Sequence, residues 1–170
     1  NGTADTNKEG SGGIVAFAGV DPTTPIDAHA ATVYPSGGTS ITAPSLTTTV
    51  PGTQLLTLVG QRANGPVTPP TGMAERFEVF AGNQNLAQFS DQAIAATGAT
   101  GTRTSVSADN GSSVAQSVAL RPRLVVPVGV PGVGTAPNGD TSTISLPVPA
   151  AASAGDVLVA HVVLHTHAFG

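Results

Sequence analysis

Residues 54–60 read Gln54-Leu55-Leu56-Thr57-Leu58-Val59-Gly60. Apolar side chains at consecutive positions over so short a run, stopped by a glycine, belong to a strand buried on both faces. Leu55, Thr57 and Val59 look one way, and Leu56 and Leu58 the other, because side chains alternate along a strand. Pro51-Gly52 just upstream is a strong turn signal.

Reading outward from this centre gives more short strands. Residues 14–20 form an apolar run that ends at Asp21-Pro22. Residues 23–27 read as a turn or edge segment. Tyr34 falls in a loop (Thr32-Val33-Tyr34-Pro35), and the isolated His29 reads as a loop residue. Residues 39–50 alternate, as do residues 73–81, where Met73, Phe77 and Val79 point inward and Arg76 and Glu78 to solvent. A strand follows at 86–90, and residues 91–97 read as strand or loop. Residues 103–108 and 113–120 flank Asp109-Asn110-Gly111 and make the clearest hairpin in the chain. The Pro- and Gly-rich residues 124–140 cannot be a central strand. The last two strands are expected at 141–148 and 156–167. Many short strands and no helix pattern imply an all-β antiparallel sandwich or barrel.

Composition agrees and excludes several functions. Only 9% of the 170 residues are charged, against roughly 25% in ordinary soluble domains, so Thr, Ser, Gly, Asn and Gln must cover the surface. The 21 Gly and 14 Pro favour turns over long helices. Six Lys and Arg at a net charge of −4 make no basic cluster, which argues against nucleic acid as a partner. No apolar run is long enough for a membrane span. With no Cys, neither a disulfide framework nor a thiolate site exists.

Several segments, taken together, resemble a jelly-roll-like β-sandwich repeat of actinobacterial surface proteins and of minor tail or fibre proteins of their phages. They are residues 13–22 (GIVAFAGVDP), 45–59 (SLTTTVPGTQLLTLV), 72–80, 96–104 (ATGATGTRT) and 118–122 (VALRP). Residues 149–160 (PAAASAGDVLVA) resemble that family's opening segment. The resemblance implies an antiparallel jelly-roll-like β-sandwich and a location outside the cytoplasm, on a virion or a bacterial surface. The family's Trp-containing hairpin between the opening strand and the GIVAFAGVDP-like strand is missing here, and the chain has no Trp. The segments thus run as the later strands of one sandwich followed by the first strands of another. Residues 1–122 are expected to form the main sandwich, 123–140 a Pro/Gly-rich linker or edge, and 141–170 terminal strands. Those terminal strands complete either this sandwich or that of a neighbouring subunit or domain. Unpaired edges invite such strand addition.

The candidate interface residues are therefore Ile144, Leu146 and Val148 on one terminal strand. On the other they are Val157, Leu158, Val159, Val162 and Leu164. On the second strand His161, His165 and His167 share a face and are weak metal candidates. The simpler expectation is a solvent-facing polar row opposite an apolar row of Leu158, Ala160, Val162 and Leu164. Asp21, Asp27, Asp109-Asn110-Gly111 and Asn138-Gly139-Asp140 read as Asx turns, not calcium sites, which need six to eight oxygens. No catalytic constellation is visible: Glu75 and Glu78, three apart, should point to opposite faces of a strand. Gly98–Gly101 is a turn with no helix behind it to cradle phosphate. Lys8 lies in a polar leader, which disfavours an isopeptide link. Tyr34 is a candidate platform for a cell-surface glycan.

The sequence thus predicts a non-enzymatic structural or assembly protein, extracellular, without cofactor. Its partners are other copies of itself or neighbouring repeats. The alternative is a carbohydrate- or receptor-binding adhesin module using loops around Tyr34 and 65–72.

Overall fold

A computed structural model describes residues 8–82, 84–139 and 144–166. In chain order the first strands are β1 (Lys8–Val20), β2 (Ile26–Tyr34), β3 (Ser40–Ala43), β4 (Thr47–Thr48) and β5 (Thr53–Gln61). Next come β6 (Val67–Thr68), β7 (Ala74–Ala81), β8 (Asn85–Ile94) and β9 (Gly98–Ala99). The last are β10 (Arg103–Ser107), β11 (Ser113–Leu120), β12 (Pro122–Gly139) and β13 (Val157–Thr166). All pairings are antiparallel, and the described residues contain no helix. The protein is an all-β antiparallel sandwich.

A five-stranded sheet, ordered β2-β11-β5-β8-β7, is the middle layer. On one side lies the three-stranded sheet β12-β1-β13; on the other are β3-β10-β6 and the small β4-β9 pair. This explains why residues 54–60 are apolar at both parities: all nine residues of β5 are buried. Leu56 and Leu58 join Phe17, Phe77, Phe89 and Leu120 under the three-stranded sheet. Val59 meets Ile41, Ala43 and Ala115 on the opposite face, and Leu55 meets Leu46, Met73 and Ala119. Phe89 stacks on Phe17 and packs at a tilt against Phe77, with ring centroids 6.2 and 5.6 Å apart.

Several expectations are corrected. Residues 26–34 are not a turn and loop but a nine-residue strand, paired with β11 from Tyr34 opposite Ser113 to Ile26 opposite Leu120. Its Ala, Asp and His content hides the strand, because β-propensity reflects packing more than an intrinsic preference. The expected hairpin at Asp109-Asn110-Gly111 does not pair with itself. β10 bonds to β3 and β6 while β11 bonds to β2 and β5, so the turn carries the chain from one layer to the next. Residues 91–94 are strand, continuing β8. Lys8 lies not in a leader but in strand, which runs through residues 8–11, and residues 1–7 lie outside the described residues.

The Pro- and Gly-rich stretch is an 18-residue strand at a sheet edge, where missing donors are tolerated. No strand is present over 144–149; Ser142 and Thr143 lie outside the described residues. The segment crosses β12 so closely that a Cβ on Gly134 would collide with the Ser145 carbonyl oxygen. β13 pairs with β1 of its own chain, from Phe17 opposite Val157 to Lys8 opposite Thr166.

Candidate functional site

The three-stranded sheet is narrower than the sheet it covers. β12 and β1 lie over β7 and β8, and β13 lies over β8 and β5. The strands next in line, β11 and β2, extend past the free edge of β13 as an overhang. Pairing fixes which side chains face that open side. Leu56 and Gly60, which face the three-stranded sheet, stand opposite Val118 and Val114. Those in turn stand opposite His29 and Val33. The same registers place Gln116, opposite Leu58, and Ala31 on this side, so the overhang's floor is Ile26, His29, Ala31 and Val33 of β2 with Val114, Gln116 and the half-buried Val118 of β11. Ile26 is 50% exposed, Val33 67% and Val114 36%.

The wall of this step is β13. Val157, Val159 and Val163 pack inward on the core. Leu158, Val162 and Leu164 face outward, at 43%, 40% and 74% exposure. The expected facing of this strand is thus inverted. His161 is not in a solvent row: its Nε2–H donates to the Val59 carbonyl oxygen at 3.0 Å. Burial lowers the imidazole pKa below its usual 6.5, opposed by that hydrogen bond. The strand can turn this way because it is apolar at both parities and because the sheet offers the inward His161 imidazole an acceptor. Gly60 permits the close approach, since a Cβ there would lie 2.8 Å from Val163 Cγ2. Asn85 fastens the layers, accepting from Ser11 Oγ at 2.9 Å and donating to the Val163 carbonyl oxygen at 3.3 Å.

At one end the step deepens into an open cleft of about 340 Å³, with Val33, Gly60 and Val114 as floor and Val163 and Leu164 as wall. Tyr34 and Arg62 close its end. The Tyr34 hydroxyl is committed elsewhere: it donates to the Thr42 carbonyl oxygen at 2.8 Å and accepts from the Thr42 N–H at 3.2 Å.

The other predicted residues are dispersed. His165 stands opposite Glu9 in the β1–β13 register, and His167 lies outside the described residues. Among the described residues no group of three His, Asp or Glu could hold a metal ion. Asp21 caps its own turn by accepting from the Thr23 and Thr24 amides at 2.8 and 3.2 Å, which holds its carboxyl below the usual range. Asp27 accepts from the Thr49 amide at 2.7 Å and pairs with Arg121 at 3.0 Å. Burial would raise the Asp27 carboxyl pKa, but these donors outweigh it and the net shift is downward. Asp140 lies outside the described residues.

Glu75 and Glu78 are not on opposite faces, because a bulge between Glu75 and Phe77 shifts the register. Glu75 accepts from Gln88 Nε2 at 2.9 Å, and Glu78 accepts from the Val67 amide at 2.6 Å. Burial and, less strongly, the Glu75 charge push the Glu78 carboxyl up against that hydrogen bond. Arg76 is likewise no free surface charge: it pairs with the buried Asp91 at 2.5 Å, which also accepts from Gln54 at 2.5 Å.

Ile26, Val33 and Val114 were invisible as site residues in the sequence. The available signal was the absence of Gly and Pro between Pro25 and Pro35. No protein-family model, curated protein or solved structure matches this chain.

Proposed function

We propose that this is a non-enzymatic structural protein that joins its neighbours through β-strand edges. It serves as a component of a virion (tail, fibre or capsid decoration) or of an extracellular surface filament. One observation carries the reading: β13 is a ten-residue edge strand with no charged residue and with Leu158, Val162 and Leu164 turned outward. Proteins that stay apart place Lys, Pro or inward charges on such an edge. The opposite side of the sandwich follows that practice, with Glu75, Arg76 and Glu78 on edge strand β7. The resemblance to surface and tail repeats and the low-charge composition favour an extracellular setting.

The test is mass in solution over a concentration series, for the wild type and for Leu158→Lys/Leu164→Lys. Concentration-dependent association that the two lysines abolish supports the proposal. A wild-type chain that stays monomeric throughout contradicts it.

A further inference from the structure

The three-over-five layering makes the free side of the sandwich a step with two strand edges: β13 above and β2 below. Its tread is the face of β11 and β2 carrying the apolar Ile26, Val33, Val114 and Val118 together with His29 and Gln116. A flush edge-to-edge dimer through β13 is blocked, because each copy's overhang would occupy the same space. A rotation of 180° about an axis parallel to the strands removes the conflict. It turns the second copy upside down, so that its overhang enters the space above the first copy's overhang.

We infer that two copies of this chain lock step into step, as a closed two-fold dimer. This rests on the edge-assembly reading above and specifies its partner and geometry. The second copy's β2 lies beside β13, and its β13 lies beside β2, so both exposed edges are covered at once. A self-complementary patch of this kind closes at two copies and does not propagate.

Direction and chemistry are consistent with the fit. His161 lies over Val59 and Val163 over Gly60, so β13 runs in the same direction as β5. Two antiparallel steps away from β5, β2 also runs that way. The rotation preserves strand direction, which makes the new junctions parallel, as mixed sheets allow. Charge raises no barrier. β11 and β13 carry no Asp, Glu, Lys or Arg, and the only one on β2, Asp27, is held by Thr49 and Arg121. Val33 and Val114 are register partners at the same height, so Val114 of one copy meets Val33 of the other.

Size sets the strength. Nine residues of β2 at about 3.3 Å each make the tread about 30 Å long, and two strands make it about 10 Å wide near Val33, narrowing toward Ile26, where Leu120 on β11 is buried in the core. Less than about 300 Å² of tread per copy, plus the strand edges, falls at the low end of specific interfaces. The dimer should therefore dissociate on dilution.

The experiment combines sedimentation of wild type and Val33→Lys with oxidation of a mixture of Val33→Cys and Val114→Cys chains. Val33 is mostly exposed, so the lysine leaves the fold intact, which a thermal melt verifies. The natural chain has no Cys, so any disulfide reports the introduced pair. The expected results are a reversible wild-type dimer and at least about tenfold weaker binding for Val33→Lys. In the mixture, a disulfide joining the Val33→Cys chain to the Val114→Cys chain should exceed the disulfide of either variant with itself. A dimer indifferent to Val33→Lys and giving no mixed link overturns the interlock while leaving edge assembly standing. A chain monomeric at every concentration overturns both.

Discussion

His161 donates from Nε2 to the carbonyl oxygen of Val59, 3.0 Å away. That bond and the packing of Val157, Val159 and Val163 on the core set one facing for the last strand, because a strand's facing flips as a unit. With His161 inward, Val157, Val159 and Val163 are core, while Leu158, Val162 and Leu164 face outward. The outward apolar row, which the proposed assembly would use, is the other side of that facing.

The same bond gives a pH dependence. The folded imidazole has a pKa below the ordinary 6.5, so the unfolded chain takes up its proton first. Stability is then complete above 6.5 and falls as pH drops from there toward the lowered folded value. Thermal melts from neutral pH downward should show this loss, and His161→Gln, which cannot ionise, should flatten it. A wild type and variant with equal slopes would show that His161 is not enclosed.

Arg76→Ala should be strongly destabilising. It leaves the Asp91 carboxylate, inaccessible to solvent, with Gln54 but without its cation. Breaking one side of a buried ion pair costs about 3 kcal/mol or more. Urea unfolding checks this, and a change within about 0.5 kcal/mol, as for an ordinary surface substitution, would contradict it.

Gly13→Ala should loosen the layers. A Cβ at this position would stand 2.6 Å from two ring carbons of Phe77, a side chain packed against Phe89. Overpacking of this kind costs about 1–3 kcal/mol. Denaturant midpoints give the answer, and an unchanged midpoint would mean that the rings shift freely.

Tyr34→Phe removes a hydroxyl with two partners, the carbonyl and the amide of Thr42. A loss of about 1 kcal/mol is expected, with self-association unaltered. Weakened association in this variant would place Tyr34 in the interface instead.

What could be read from the sequence followed from how far packing determines each residue. The run at 54–60 was unambiguous because burial on both faces demands apolar side chains at every position. β13 was recognisable as a strand, but its facing was not, since Val157-Leu158-Val159 and Val162-Val163-Leu164 satisfy either parity. β2 was hidden because an edge strand with one open face has few positions that packing dictates, and Ala28, Ala30 and Ala31 carry little strand signal. The turn at Asp109-Asn110-Gly111 was found, but a turn does not say whether its flanking strands pair or part into different layers. The overhang is a property of layer widths, set by long-range pairing that no local pattern records.

Amide hydrogen exchange, residue by residue at low and high protein concentration, tests edge-driven assembly most directly, because exchange reports where backbone groups gain partners. Slowing that grows with concentration on β13 and β2, with β7 unchanged, is the predicted result. Exchange on β13 that is independent of concentration, or slowing confined to β7 and β12, would contradict it.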